Sequence, residues 1–174
     1  MGIEDSRLSA PAPASARSGR TASATRRGSF YLQPGELLAR DGPTTLLTIV
    51  GSCVAVCVYD PTTGIGGATH YLLPHHLSPD GALRYGVVAI PRLVSDLVTL
   101  GAGERHLVAK VFGGARMIAS QRPEAGRLGA QNVDLAYRVL GELRVPIVSS
   151  DVHGTQARRI IFRTDDGAVR LRRL

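Results

Sequence analysis

The sequence contains no tryptophan, two cysteines, a single lysine and few aromatic residues. Aromatic residues make up 5% of the chain and hydrophobic residues 44%, so aliphatic side chains must form most of the core. No apolar run approaches the ~20 residues of a membrane-spanning helix, and the chain does not open with a signal-peptide pattern. These absences predict no membrane insertion and a cytoplasmic protein whose two cysteines stay reduced.

The net charge of +7 is concentrated at the two ends of the chain. Residues 1–28 hold five arginines against two acidic residues, and residues 158–174 hold six against two. Residues 29–157 hold ten basic and ten acidic residues, so the body is neutral. Without a basic face or aromatic residues for base stacking, nucleic-acid binding is not expected.

Composition also divides the chain into a tail and one domain. Residues 1–28 are mainly Ala, Ser, Arg, Pro and Gly, with almost no large apolar side chain. Such a segment cannot bury enough surface to offset the entropy lost on ordering. The sequence therefore predicts a disordered basic tail over 1–28 and a single domain over 29–174.

The spacing of apolar residues divides the domain into strands and helices. β-rich segments bounded by turn residues predict strands, and apolar residues at helical spacing predict two amphipathic helices. The predicted strands are 30–33, 36–40, 46–50, 54–59, 65–73, 106–112, 146–151, 158–163 and 168–171. The predicted helices are 87–100, with Pro91 a candidate for its first turn, and 132–143. Groups of strands with two main helices predict a layered α+β domain with a mixed β-sheet.

Gly51, Ser52 and Cys53 lie where one β-rich segment stops and the next begins. Two small residues let the backbone turn tightly and direct its N–H groups at whatever binds beside the sulfur. A thiol becomes a nucleophile when it loses its proton to a nearby base. His70 lies in the next predicted strand, which a tight turn would bring alongside. Cys53 and His70 therefore form a candidate thiol site, although a buried cysteine is more often a small core residue.

A metal site is the rival chemical interpretation, because Cys53, Cys57, His70, His75 and His76 are all possible ligands. If 53–57 is extended, four residues at ~3.3 Å rise separate the two cysteine Cα atoms by ~13 Å. That separation is too large for one ion, and it exceeds the ~7 Å limit for a disulfide. Cys57 is then expected in the core, and no metal site is predicted.

Six segments in order along the chain resemble those of the CheD family. They are 30–36 (FYLQPGE), 47–57 (LTIVGSCVAVC), 66–74 (GGATHYLLP), 84–86 (RYG), 109–117 (AKVFGGARM) and 128–132 (LGAQN). The second segment is similar to the block around the family's catalytic cysteine, and the third to the block that carries its catalytic histidine. The resemblance covers nearly the whole chain from about residue 30.

The resemblance implies a chemotaxis enzyme that converts particular glutamines of methyl-accepting chemotaxis receptors to glutamates. It implies Cys53 as the nucleophile and His70 as the base. Independently of the resemblance, the tight turn at Gly51 and Ser52 is expected to direct backbone N–H groups near Ser52 and Cys53 at the oxyanion. The receptors are then the protein substrates, and a CheC-type phosphatase is a possible partner. This chemistry needs no metal or organic cofactor.

The family's site also includes a threonine just upstream of the cysteine, which orients the histidine. That position falls on Leu47 or Thr48, with Thr45 nearby, and Thr48 is the residue assigned here. Two other functions remain open from the sequence. One is a non-catalytic or weakly catalytic module that docks a CheC-type phosphatase or chemoreceptors, and the other is a thiol protease.

Overall fold

The computed structural model describes residues 24–25, 28–75, 82–116 and 123–174. The predicted disordered tail, 1–28, lies almost wholly outside these residues, so its disorder stays a prediction. Within it, Ala24–Thr25 forms a short strand that pairs with Ser29–Tyr31. In the described part of the chain, no helix has the length and apolar character needed to cross a membrane.

The strands lie close to the predicted β-rich segments. In chain order they are β1 Ala24–Thr25, β2 Ser29–Tyr31, β3 Glu36–Arg40, β4 Thr45–Val50, β5 Val54–Asp60, β6 Ile65–Tyr71, β7 Val108–Gly113, β8 Ile147–Val152, β9 Arg158–Arg163 and β10 Val169–Arg173. The segment predicted to begin a strand at residue 106 instead starts with the 3-10 turn Glu104–His106, and the strand follows it. His106 is exposed on that turn.

Across the described residues these strands form two five-stranded sheets where the sequence predicted one. The first sheet has the order β1-β2-β4-β9-β10 and the second the order β3-β6-β5-β7-β8. Each contains a parallel pair, β2 with β4 and β7 with β8, so both sheets are mixed. The layered α+β class is confirmed. The domain has two β layers in place of one, and the chain crosses between them after β2, β3, β4 and β8.

Alternation along β5 accounts for the layers. Ala55 and Cys57 pack against the first sheet, in a cluster that includes Phe162 of β9. Val54 and Val56 point the other way, into a larger cluster formed with the two helices. Both faces of β5 are therefore covered, and the order of layers is sheet, sheet, helices.

The helices are α1 Gly86–Thr99 and α2 Pro123–Glu142. Pro91 lies inside α1, so its assignment to the first turn is wrong: the helix begins at Gly86, where a Cβ would collide with Tyr71 and Leu135. The helix thus begins one residue before the start at 87 that its apolar spacing predicts, and Pro91 lies in its second turn. The helix α2 begins nine residues before the predicted start at 132, because 123–131 lack the apolar spacing by which helices are recognised.

Candidate active site

Thr48 faces the space between the two sheets. Side chains alternate along β4, and Thr48 is 5% exposed whereas Ile49 is 40% exposed. Thr45 and Leu47 share the outward face with Ile49. Of the three positions considered for the histidine-orienting residue, only Thr48 therefore points toward His70.

His70 lies in β6, an interior strand of the second sheet, one residue before the strand ends at Tyr71. It pairs with Ala55 of β5 on one side and with Glu36 of β3 on the other. The side chain is 1% exposed, and its Nδ1 lies 2.8 Å from the Thr48 Oγ1 of the opposite sheet. The predicted neighbouring-strand arrangement of the cysteine and histidine segments is confirmed by the β5–β6 pairing.

The hydrogen bonds of Thr48 fix the protonation of the His70 ring. The Thr48 hydroxyl donates its one proton to the Leu32 carbonyl oxygen at 2.9 Å. Its oxygen therefore accepts from His70, so the ring proton lies on Nδ1 and Nε2 keeps its lone pair. Nε2 is buried and has no hydrogen-bond partner among the described residues. The ring thus presents an unoccupied basic nitrogen inside the protein.

Burial keeps this ring neutral. It lowers the pKa of His70 from 6.5 to about 4, even though the Leu32 carbonyl favours the charged ring. At neutral pH the ring can therefore accept a proton. A neutral imidazole whose free nitrogen has no partner is suited to general-base chemistry.

Cys53 lies in residues 51–53, the crossover loop, which carries the chain from β4 in the first sheet to β5 in the second. The end of β7 holds this loop through two backbone bonds. The Gly114 N–H donates to the Cys53 carbonyl at 2.9 Å, and the Ala115 N–H donates to the Gly51 carbonyl at 2.8 Å. Gly113 has φ +115°, and a Cβ there would collide with the Cys53 carbonyl oxygen, so glycine is required for this approach.

The thiol of Cys53 is only partly buried and unpaired with the histidine. Burial raises the pKa of Cys53, and the residue's own N–H, which lies beside the sulfur, lowers it in part. No hydrogen bond joins the sulfur to His70 Nε2 in this structure. The thiol and the ring are therefore both neutral at rest and do not form a thiolate–imidazolium ion pair.

Continuing the β5–β6 pairing by one residue would place Cys53 opposite Leu72 and diagonal to His70. Cys53 would then share a face with Ala55, the direct partner of His70. Diagonal neighbours on one face of an antiparallel pair are about 7–8 Å apart, a separation that an aromatic side chain such as that of His70 can span. The β5–β6 register therefore places the crossover loop next to the end of the strand that carries the predicted base.

The other sequence candidates lie elsewhere. Cys57 is 1% exposed in the core between the sheets, and burial raises its pKa to about 12, so it is a poor nucleophile. His75 is exposed, and His76 lies outside the described residues. Throughout the described ranges, no three His, Cys, Asp or Glu side chains are close enough to hold a metal ion.

Asn132 of α2 lies at the site, although the sequence analysis did not identify it as a candidate. It is 0% exposed, and its Nδ2 donates to the Ser52 carbonyl at 3.0 Å and to the Leu72 carbonyl at 2.8 Å. It thus joins the crossover loop to the end of the strand that carries His70. The one sequence feature that could have identified Asn132 is that it is a polar residue on the apolar face of a predicted helix.

The fold and site define a small α+β domain in which a cysteine loop and a threonine-held neutral histidine meet at one end of paired sheets. Residues 72–173 match the family described as CheD chemotactic sensory transduction. The chain belongs to the CheD family, which confirms the resemblance drawn from its six segments.

Individual relatives match over most of the chain. A probable chemoreceptor glutamine deamidase CheD 1 of Anaeromyxobacter dehalogenans (strain 2CP-C) is 44% identical over 165 residues, 95% of this chain and 96% of the relative. A probable chemoreceptor glutamine deamidase CheD of Sulfurimonas denitrificans is 37% identical over 144 residues, 82% of this chain and 92% of the relative. That of Trichlorobacter lovleyi is 38% identical over 145 residues, 83% and 89% of the two chains. The first alignment is long enough that Thr48, Cys53 and His70 must lie within it.

Proposed function

We propose that this protein is a chemoreceptor glutamine deamidase that hydrolyses glutamine side-chain amides to glutamates through a thioester on Cys53. Membership of the CheD family and the names of its relatives support the activity. The observation that carries the mechanism is the hydrogen-bonded series from the Leu32 carbonyl through Thr48 to His70. It leaves a neutral ring whose Nε2 can accept a proton.

In the first half-reaction His70 Nε2 takes the proton of the Cys53 thiol as the sulfur attacks the carbonyl carbon of the glutamine side chain. The carbonyl electron pair moves onto oxygen and gives a tetrahedral oxyanion. When the carbonyl re-forms, the carbon–nitrogen bond breaks, and His70 returns the proton to the departing nitrogen, which leaves as ammonia. Thr48 holds the ring in one tautomer and one orientation throughout.

In the second half-reaction water replaces ammonia in the site. His70 Nε2 removes a proton from the water as its oxygen adds to the thioester carbonyl. Collapse of the second oxyanion breaks the carbon–sulfur bond, and the thiolate recovers its proton from His70. The product is a glutamate side chain, and every proton transfer uses His70, Cys53 or water.

Neutral reactants suit this sequence of steps. Because burial lowers the pKa of His70 and raises that of Cys53, charge separation at rest is disfavoured. The proton then moves when substrate binds and the oxyanion begins to form beside the backbone N–H groups of Ser52 and Cys53. Neither N–H donates to another described residue. Each such donor is commonly worth ~3 kcal/mol to a developing oxyanion.

The proposed substrates are glutamines of methyl-accepting chemotaxis receptors, and a CheC-type phosphatase is a proposed partner. Both assignments follow from the family. The proposed compartment is the cytoplasm, which suits a site built on reduced cysteine.

A weakly catalytic binding module is the second candidate function. It is favoured by one observation, the absence of a hydrogen bond between the Cys53 thiol and His70 Nε2 among the described residues. Such a protein would dock receptors or a CheC-type phosphatase without turnover.

The decisive experiment is mass spectrometry of a receptor cytoplasmic fragment incubated with the protein. Wild type should produce the mass change of amide-to-acid conversion at particular glutamines, together with stoichiometric ammonia. Cys53→Ala and His70→Ala should produce none, whereas the matched variant Cys57→Ala should remain active. Peptide fragments would indicate a protease, and an unmodified fragment that nevertheless binds would indicate the module.

A further inference from the structure

Asn132 is the only described side chain that holds the middle carbonyl of the crossover loop. The carbonyls on either side, those of Gly51 and Cys53, accept backbone N–H groups from the end of β7. The Ser52 carbonyl accepts Asn132 Nδ2 at 3.0 Å. Removing the carboxamide would therefore release one peptide of the loop and leave its neighbours held.

That peptide is the one that carries the N–H of Cys53. A peptide unit is planar and trans, so its C=O and N–H point in opposite directions from one rigid plate. A hydrogen bond that fixes the Ser52 carbonyl consequently fixes the Cys53 N–H on the opposite side. The structure places this N–H beside the Cys53 sulfur, where it lowers the pKa of the thiol in part. A donor beside the nucleophile is where an oxyanion would form.

A second contact ties the same carboxamide to the base. The other N–H of Nδ2 donates to the Leu72 carbonyl at 2.8 Å, two residues beyond His70 in the chain. The main-chain carbonyl of Asn132 accepts the Tyr71 hydroxyl, from the residue next to His70. One residue of α2 thus sets the loop that bears the nucleophile against the strand that bears the base.

The remaining oxygen of the side chain indicates that Asn132 serves more than packing. Its Oδ1 is buried and has no hydrogen-bond partner among the described residues. An unpaired buried acceptor costs about 1–3 kcal/mol, which an apolar side chain at the same place would avoid. The two N–H donors are the feature that an apolar residue could not supply.

We infer that Asn132 is a positioning residue that locks the Ser52–Cys53 peptide with the Cys53 N–H aimed as an oxyanion donor. This inference rests on the proposed function for its natural substrate. The geometry itself applies to any acyl transfer to Cys53, which allows a test independent of receptors.

The test compares two reactions of the same thiol. With iodoacetamide, the sulfur displaces iodide from a saturated carbon and no oxyanion forms. With 4-nitrophenyl acetate, the thiolate adds to the carbonyl carbon, the electron pair moves onto oxygen, and 4-nitrophenolate leaves as the carbonyl re-forms to give a thioester. The Cys53 N–H acts as an oxyanion donor only in the second reaction, whereas its effect on the pKa of the thiol enters both rates. The ratio of acylation to alkylation rates therefore reports on the oxyanion donor.

In Asn132→Ala and in Asn132→Leu, which better fills the space, that ratio should fall at least tenfold and approach the ~10²–10³-fold typical of a lost oxyanion donor. The kcat of receptor deamidation should fall by a similar factor, with alkylation changed by no more than about threefold.

The matched control is Thr164→Val. Thr164 is 0% exposed and clamps backbone too, accepting from the Thr44 N–H at 2.9 Å and donating to the Gly42 carbonyl at 2.8 Å, at the other end of β4. It should lower stability and leave the ratio unchanged.

An unchanged ratio in both Asn132 variants would overturn the inference, and so would an equal loss of both reactions, which would mean that the loop had collapsed. Unfolded chains would also lower the ratio, because their exposed thiols react without an oxyanion donor. Both rates are therefore measured where the urea unfolding curve of each variant shows the protein to be folded. If wild type failed to deamidate receptors while the ratio still fell in the variants, the proposed function would be wrong and the role of Asn132 would stand.

Discussion

Replacing Thr48 by valine tests how the base is held. The two side chains have nearly the same shape, so the change removes one hydroxyl and leaves the packing between the sheets in place. The Leu32 carbonyl then loses a donor at 2.9 Å, and the His70 Nδ1–H loses an acceptor at 2.8 Å. Each buried polar group left unpaired costs about 1–3 kcal/mol, so Thr48→Val should lower the free energy of unfolding measurably.

The same loss sets the size of the catalytic effect. If the ring loses about 1–3 kcal/mol of orienting energy in the transition state, the rate falls roughly 5- to 150-fold. Thr48→Ser keeps the hydroxyl and should retain most of the rate. Because the burial of His70 is unchanged, its pKa should stay near 4 in Thr48→Val. The pH of half-maximal rate should therefore not move while the maximum falls.

Thr69→Val is the matched control. Thr69 precedes His70 in β6, is 0% exposed, and donates from Oγ1 to the Glu36 carbonyl at 3.2 Å, on the opposite face of the sheet. It should lose stability with kcat within about twofold of wild type, since the groups it touches take no part in the reaction. The assay is ammonia release at saturating receptor fragment, with urea unfolding for each variant. An unchanged kcat in Thr48→Val, or an equal loss in Thr69→Val, would refute the orienting role.

Four further outcomes are expected. Cys53→Ala should abolish deamidation without unfolding the protein, and Cys57→Ala should cost roughly 1 kcal/mol in urea unfolding and keep its activity; the reverse pattern would exchange their roles. The folded pKa of His70 is depressed to about 4 from 6.5, so the stability present above pH 6.5 should fall by up to about 3 kcal/mol as the pH is lowered to 4, and His70→Gln should remove that part of the pH dependence. The kcat/KM of wild type should likewise fall with an apparent pKa near 4 on the acidic side of its pH profile. An apparent pKa near 6.5 would mean that the ring of His70 is exposed to water and not buried. Deleting the tail, 1–28, should leave the thermal midpoint within about 2 °C, and a deletion of 1–23 that keeps the Ala24–Thr25 strand shows whether any loss comes from that pair.

Local patterns in the sequence were sufficient to predict most of the strands. The bounds of β3 and β9 are those predicted, because alternation and turn residues are properties of the segment itself. The partition into two sheets was not predictable in this way. Successive strands β2, β3, β4 and β5 belong alternately to the first and second sheets, and an alternating strand shows which residues share a face but does not identify its partner.

The pairing of the strand after Cys53 with the strand that carries His70 was predictable, because β5 and β6 form a hairpin and their pairing depends on local chain direction. The resemblance to the family left the orienting position on Leu47 or Thr48, with Thr45 nearby, and Thr48 was assigned from that alignment. Apolar residues occupy both faces of this strand, so the sequence alone does not identify the inward face. The structure shows that Thr48 lies inward with Leu46 and Val50. The contact between Thr48 and His70 crosses from one sheet to the other, and no local pattern predicts it.

Asn132 shows what kind of functional residue a single sequence conceals. It stands one turn before Ala136 on the stripe that Val139 and Leu140 continue, so its burial followed from helical spacing. A buried carboxamide must find partners or cost about 1–3 kcal/mol, so the position alone indicated that it binds something. What it binds are two main-chain carbonyls, of Ser52 and Leu72, and a carbonyl has the same chemistry whatever side chain it carries. No complementary residue type exists for a sequence pattern to detect, because the group that Asn132 holds is the backbone itself.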